Sequence, residues 1–300
     1  MQKVFIGFSK QYHLTFEGFK KLGRANTQLN KQTQNFKFMT KLSNNTETRN
    51  LLKPLLGDCA FQSDVHLMDC MELMANYPDN YFDLAVVDPP YGINVAKMAY
   101  TQEDNRPVKQ SNGSVLRVKK LKYKHGDWDS LPANESYLNE LKRVSKNQII
   151  FGINYMDFHL KGGRIVWNKL TPEGVSFSDC EIAYCSLQNK VTNVYYMWAG
   201  MFQGIYCGTN VRKALMQQGN KKLNEVRIHP THKPIKLYDW LFSKYSTEGM
   251  KILDTHLGSG SSRIAANKAK LNFTGCEIDK EYFDKSQNRY NDFVSQVRLF

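Results

Sequence analysis

The chain has 300 residues, with 41 Lys and Arg against 28 Asp and Glu, for a formal net charge of +13. This length suits one large α/β domain with an appendage. No apolar run is long enough to span a bilayer and no compact apolar core precedes a small-residue cleavage site, so membrane and secreted classes are not expected. The positive balance points to a polyanionic partner. Six cysteines, with no Cys-x-x-Cys pair, argue against a zinc site and for reduced thiols in an intracellular, cytoplasmic protein.

In chain order, residues 1–62 read as an N-terminal extension, loosely ordered where 24–50 is rich in Asn, Gln, Thr and Lys without an apolar period. Residues 63–300 are the main domain. A strand over Val65–Cys70 runs into a turn, and a helix follows around Met71–Asn76. Leu84-Ala85-Val86-Val87 has the continuous apolar character of a buried parallel strand. An insertion at 93–127 contains a stretch from Arg106 to Lys124 with no carboxylate and seven basic residues, Arg117, Lys119, Lys120, Lys122 and Lys124 among them. Phosphate contact is the favoured reading of these residues, a solvated basic loop the plainer one.

Glu135–Val144 predicts an amphipathic helix with Tyr137, Leu138, Leu141 and Val144 on one face. Strands are expected at Gln148–Gly152, Arg164–Trp167 and Glu181–Cys185. Residues 189–228 show little regular pattern; Trp198, Phe202 and Tyr206 there could serve a core or touch bases. A helix then starts near Pro234, with Leu237, Tyr238, Leu241, Phe242 and Tyr245 on one apolar face. A short strand ending at Leu253, a helix over Arg263–Ala269 and a strand over Phe273–Glu277 complete the pattern. Alternating strands and helices predict an α/β fold with a mostly parallel, doubly wound sheet.

Two motifs carry chemistry. Asp88-Pro89-Pro90-Tyr91 closes the apolar strand, because neither proline can donate to the ladder. An acid and an aromatic are thereby held at the carboxyl end of a strand, where open α/β sheets place their sites. The second motif, Asp254 to Ser262, reads strand, Gly-Ser-Gly turn, helix, a layout in which backbone N–H groups approach a ligand closely. Glu277 ends the next strand, at the spacing from which a carboxylate can hold ribose hydroxyls. The six-residue glycine spacing of dinucleotide binders and the Lys-Ser/Thr of a P-loop are both absent, so the site suits a nucleoside without a phosphate chain. His229 and His232 lie in a proline-rich turn without neighbouring carboxylates or thiols, and no metal site is expected.

In order, Asp69-Cys70, Asp88-Pro89-Pro90-Tyr91, Trp128-Asp129, Gln148 to Tyr155, Trp167-Asn168-Lys169, Phe177 to Glu181, His229 to Pro234, Asp254 to Ser262 and Glu277-Ile278-Asp279 resemble the S-adenosylmethionine-dependent amino-methyltransferases of DNA. The resemblance covers roughly Asp64 to Tyr290, in the group whose catalytic motif precedes the cofactor motif, and the whole looks particularly like phage-type and prophage-type members. It implies a sheet of the S-adenosylmethionine-dependent methyltransferase type with a small DNA-contacting region, drawn from the insertion and from 189–228. Asp88 and the Pro89 carbonyl would accept the hydrogens of an exocyclic amine, held by the turn at Pro90, and Tyr91 would stack on a base extruded from the duplex.

S-adenosylmethionine would meet Asp69 and the backbone at Cys70 at its adenine, Glu277 at its ribose, and Asp254, Gly258, Ser259 and Gly260 at its methionine, with Thr231, Lys233 and Pro234 closing that side and Thr255 and Ile278 also among the cofactor-binding residues. Asp254-Thr255-His256 departs from the common Asp-Pro-Phe form, which leaves the roles of Thr255 and His256 open. Plainer readings stand beside these: Asp69 as a helix cap, Glu277 as a strand end, Lys233 as a surface charge. Double-stranded DNA is the implied substrate, with room for a homodimer and a cognate restriction enzyme. Asp88 leans toward adenine as the target, since cytosine enzymes often carry Ser there. Cytosine, an RNA or protein amide, and a DNA-binding protein with a decayed site are the alternatives.

Overall fold

The structure, a computed structural model, describes residues 61–97, 107–109, 112–117, 128–171, 178–199, 202–205 and 224–296. Residues 1–60 of the expected extension, Lys119, Lys120, Lys122 and Lys124, and Tyr206 lie outside these. Phe61–Phe293 form one compact unit. Its strands are β1 (Ser63–Leu67), β2 (Leu84–Val87), β3 (Pro107–Lys109), β4 (Val115–Arg117), β5 (Gln148–Phe151), β6 (Gly163–Asn168), β7 (Cys180–Cys185), β8 (Val191–Ala199), β9 (Phe202–Ile205), β10 (Lys251–Asp254) and β11 (Asn272–Glu277). The helices are α1 (Cys70–Ala75), α2 (Glu135–Val144), α3 (Ile235–Tyr245), α4 (Ser261–Lys268) and α5 (Lys280–Ser295).

Nine of these strands form one sheet in the order β1-β11-β10-β2-β5-β7-β6-β8-β9. The first five are mutually parallel; β7 reverses between β5 and β6, and β9 reverses against β8. All four residues of β2 and of β5 are buried, which is why Leu84–Val87 and Ile149–Phe151 read as apolar runs, with Gln148 the one polar residue among them. The pleat sends them to two cores. Leu84, Val86, Ile149 and Phe151 meet Leu237, Leu241 and Phe242 of α3 and Ala265 and Ala266 of α4 on one face. On the other face Ala85, Val87 and Ile150 meet Leu73 and Met74 of α1 and Leu138, Leu141 and Val144 of α2. The α/β fold with a mostly parallel sheet covered on both faces is thus observed.

Local chemistry sets the helix starts. Asn134 caps α2 by accepting the Tyr137 N–H at 3.0 Å. Pro234 is the residue before α3, with φ −71° and ψ 147°, rather than inside its first turn. Proline has no capping side chain, and the Glu225 carboxylate accepts the Ile235 N–H instead, 3.1 Å from each oxygen.

Strands β3, β4, β8 and β9 and helix α5 are not expected from the pattern. Residues 191–199 form β8 and 202–205 form β9; in β8, Val191, Asn193 and Tyr195 face outward while Val194, Tyr196 and Trp198 are buried. An outward Val and Tyr and inward aromatics with polar atoms blur the contrast on which a period-two reading depends. Trp198 belongs to the core, its indole N–H donating to the His232 carbonyl at 2.7 Å. Helix α5 is mostly polar and buries only Tyr282, Ser286 and Tyr290. Within the basic insertion β3 and β4 pair as an antiparallel hairpin, with Arg117 at its end. Among the described residues no helix is long and apolar enough to cross a membrane.

Candidate active site

Parallel strands deliver their carboxyl ends to one edge. Along that edge Asp69 follows β1, Glu277 ends β11, Asp254 ends β10, Asp88 follows β2 and Gly152 follows β5. With neighbouring strands about 5 Å apart, the row from Asp69 to Asp88 covers about 15 Å.

At the Asp88 end of the row, the loop after the two prolines folds around Asp129, which is only 2% exposed. Its Oδ1 accepts the N–H groups of Tyr91 (2.7 Å) and Gly92 (2.9 Å), and its Oδ2 that of Val95 (2.9 Å). The Tyr91 hydroxyl donates to Asp88 Oδ1 at 2.5 Å, and Lys233 Nζ donates to Asp88 Oδ2. The same ammonium lies 3.0 Å from Glu181 Oε2 and 3.1 Å from the Tyr91 hydroxyl. Lys169 Nζ is 2.7 Å from Glu181 Oε1. Acid and base therefore alternate: Asp88, Lys233, Glu181, Lys169.

The electrostatics follow from this order. Burial raises the Asp88 carboxyl above its ordinary range, and the nearby Lys233 pulls the other way. Burial acts on Glu181 too, but Lys233 and Lys169 together hold it at about 2. Burial disfavours the Lys233 ammonium, yet Asp88 and Glu181 keep its pKa above that of an ordinary lysine. Burial, reinforced by Asp88, keeps the Tyr91 phenol protonated and therefore a donor. The Tyr91 ring stacks on Tyr155, with centroids 5.0 Å apart and planes at 12°, and Tyr155 stays 39% exposed. Gly152 has φ +68°, and a Cβ there would overlap the Tyr91 ring at Cε1.

At the glycine turn, Gly258 and Gly260 have φ +49° and +70°, the left-handed backbone that favours glycine. Glu277 accepts the N–H groups of Gly258 (2.8 Å) and Asp279 (3.0 Å), fixing the turn to the end of β11. Asp254 accepts from the His256 N–H and from the Ser262 hydroxyl, and burial raises its pKa to about 7 against those two hydrogen bonds. Ser259 Oγ is 3.1 Å from Ser261 Oγ. Thr255 bonds Tyr137 of α2 at 2.7 Å and His256 at 2.9 Å, so its hydroxyl ties the end of β10 to α2. His229 and His232 are buried, which lowers their pKa values to about 3 and about 4, and both are neutral at pH 7. Thr231 Oγ1 lies 3.0 Å from His229 Nδ1.

Asp69 caps α1, accepting the Met71 N–H at 2.7 Å with one carboxylate oxygen. Cys70 opens that helix, its thiol raised to about 11 by burial and by Asp69, and Ile278 is 65% exposed. The structure thus gathers Asp88, Pro89, Pro90 and Tyr91 at one end of the edge and Asp69, Cys70, Asp254, Thr255, Gly258, Ser259, Gly260, Glu277 and Ile278 along the rest. Lys233 and Thr231 part company: Thr231 turns to His229 near the glycine turn, and Lys233 turns to Asp88. Sequence reasoning gave no role to Asp129, Gly152, Tyr155, Lys169 or Glu181. Each stands in a recognisable motif, but pairing Lys169 and Glu181 with Lys233 requires the fold.

Residues 181–288 match the family model described as DNA methylase, of the N6/N4 type. Type II methyltransferase M2.DpnII of Streptococcus pneumoniae is 22% identical over 249 residues, covering 74% of this chain and 87% of that protein. Type II methyltransferase M.HinfI of Haemophilus influenzae is 24% identical over 258 residues, covering 75% and 67%. Among solved structures, the M1.HpyAVI–SAM complex aligns with 77% of this chain and 100% of its own at 17% identity and a TM-score of 0.43. The resemblance drawn from the motifs is borne out: the chain is similar to N6/N4-type DNA methylases, through the family model over residues 181–288 and through these relatives over about three quarters of its length.

Gly152→Ala is expected to cost about 1–2 kcal/mol from the left-handed backbone alone. The added methyl would also push Tyr91 off Tyr155. Chemical denaturation measures the first effect; retention of parental stability would show that this turn is not under the stated constraint.

Proposed function

We propose that this protein transfers the methyl group of S-adenosylmethionine to the exocyclic amino nitrogen of adenine in double-stranded DNA. The observation that carries the proposal is the row of acids at one sheet edge, with Asp88 two strands from Glu277. That separation, about 10 Å, suits an elongated nucleoside–amino acid lying across the strand ends. An orphaned donor supports the fit. Among the described residues the buried indole Nε1 of Trp128 has no hydrogen-bond partner; its ring is 5.3 Å from that of His229, and the His229 ring lies 3.7 Å from where a Gly258 Cβ would be. A buried N–H on the ring next to His229, whose own ring packs on the glycine turn, suits a carboxylate such as that of a methionine.

S-adenosylmethionine supplies an electrophilic methyl group on a sulfonium sulfur. Glu277 would hold ribose hydroxyls, and Asp254 with the turn through Gly258, Ser259 and Gly260 the methionine part. Asp69, Cys70 and the exposed Ile278 would meet adenine. At the other end Asp88 and the Pro89 carbonyl would accept both hydrogens of the target amine. An aromatic amine spreads its lone pair into the ring and is a poor nucleophile; two acceptors favour a more tetrahedral nitrogen with the lone pair free to attack. Attack of that lone pair would take up the methyl group, the electron pair of its bond to sulfur staying on sulfur, and the methylated amine would give up one proton to solvent. Tyr91 and Tyr155 supply the stacking surface for a base taken out of the duplex, and alignment of the two reactants lowers the barrier. The choice of adenine rests on Asp88 at the first motif position. Phosphate contact falls to the basic insertion around Arg117.

The direct test is a modified-base map of DNA from cells expressing the protein. N6-methyladenine in one sequence context is expected; N4-methylcytosine overturns the choice of base, and unmodified DNA overturns the reaction.

Asp88→Ala should abolish transfer while S-adenosylmethionine still binds, because Asp88 faces the amine rather than the cofactor. Near-parental turnover would remove Asp88 from the chemistry.

Glu277→Ala should weaken S-adenosylmethionine binding by roughly 1.5–3 kcal/mol, the scale of a hydrogen bond to a charged group. Calorimetry without DNA reads this, and equal affinity would move the ribose site elsewhere.

A further inference from the structure

Both oxygens of Asp88 are engaged by the protein itself, Oδ1 by the Tyr91 hydroxyl and Oδ2 by Lys233. A carboxylate has about four lone-pair sites, so acceptor capacity remains for an amine, aimed by how these two donors hold the group. Lys233 is itself fixed. Its side chain is 4% exposed, and its three N–H groups have three acceptors in Asp88, Glu181 and the Tyr91 hydroxyl. The ammonium also lies 4.9 Å from the centre of the Phe151 ring. Asp88, with 15% of its side chain exposed, is the carboxylate that would otherwise be driven toward its neutral form at this edge. A protonated Asp88 would lose acceptor capacity and present a donor to an amine, which the proposed chemistry cannot use.

We propose that Lys233 is a positioning residue that keeps Asp88 ionised and oriented to accept the target amine, with Glu181 and Lys169 as the counter-charges that hold Lys233 in place. This rests on the methyl-transfer reading above and gives Lys233 a task separate from cofactor closure. The groups facing Asp88 are Lys233 ahead of α3, Tyr238 within α3, Tyr91 on its own loop, Glu181 on β7 and Asp254 on β10. Lys233 is the one cation among them, and Glu181 and Asp254 are acids that oppose ionisation of Asp88. Burial pushes the Asp88 pKa up while Lys233 draws it down. Removing the cation therefore moves Asp88 titration to higher pH, and removing the Glu181 charge moves it to lower pH.

The experiment is a pH profile of kcat for methyl transfer from S-adenosylmethionine to DNA, both saturating, with the full chain as parent, Lys233→Gln, Lys233→Arg and Glu181→Gln. In Lys233→Gln the acid limb is expected to move up by about 1–3 pH units, the range an opposite charge imposes on a carboxylate. Lys233→Arg should return it toward the parent, and Glu181→Gln should shift it the opposite way. S-adenosylmethionine affinity, measured by calorimetry without DNA, should stay within twofold in all three. A limb that stays put in Lys233→Gln, or moves the same way in Glu181→Gln, overturns the assignment. So does a Lys233→Gln variant that loses cofactor affinity with an unmoved limb, which would return Lys233 to the cofactor side. If Lys233→Gln does not fold, the direction of the Glu181→Gln shift decides. A parent that methylates no DNA at any pH overturns the reading of function itself, and with it this inference.

Discussion

Everything at the candidate site depends on the parallel alignment of β1, β11, β10, β2 and β5. Parallel strands end on the same side, so whatever residue closes each strand is carried to a common edge. Here four of the five closing residues are acids, and the fifth is a glycine that admits an aromatic ring. An antiparallel arrangement of the same segments would send Asp254 and Asp88 to opposite edges, since β10 and β2 are direct neighbours. The alignment is held by two cores, one on each face, and by the complete burial of β2 and β5. Hydrophobic burial thus sets the positions at which charge is placed.

The price of four carboxylates on one edge is mutual repulsion and desolvation, and the structure answers it differently at each end. Asp254 is left to burial, with a raised pKa and local hydrogen bonds to Ser262 and the His256 backbone. Glu277 is stabilised by backbone N–H groups from Gly258 and Asp279, so the acid that ends β11 also shapes the glycine turn. Asp88 instead receives a full cation, and that cation is shared with Glu181, itself balanced by Lys169. The alternation leaves no net charge in the quartet. It also makes each ionisation depend on its neighbours, so the array behaves as one unit.

Asp129 shows a second use of a buried acid. Among the described residues it forms no ion pair; three backbone N–H groups of the loop after the prolines converge on it. Two prolines deny the loop its own ladder bonds, and a carboxylate replaces them. The motif's rigidity therefore comes from a residue 38 positions away from Tyr91. Tyr155 and Gly152 complete this support from β5, one as a stacking partner and one by lacking a side chain.

Local pattern was enough for the elements with strong periodicity. The run Leu84–Val87, the face Tyr137-Leu138-Leu141-Val144 and the glycine turn before α4 each announce themselves through near neighbours, because burial and backbone geometry act over a few residues. Strands β8 and β9 did not, because their outward Val191 and Tyr195 and inward Trp198 mix apolar and polar character on both faces. The motifs Asp88 to Tyr91 and Asp254 to Glu277 could be read for their chemistry, since an acid at a strand end and a glycine turn have that meaning wherever they occur. Which acid meets which base could not be. Lys233 is 145 residues from Asp88 and was read with the cofactor motif beside it in the chain; only the sheet order brings its ammonium to Asp88 and Glu181. Sequence determines residue types and local geometry, whereas ion pairing depends on distances of a few ångströms across segments far apart in the chain, and tertiary packing alone decides those.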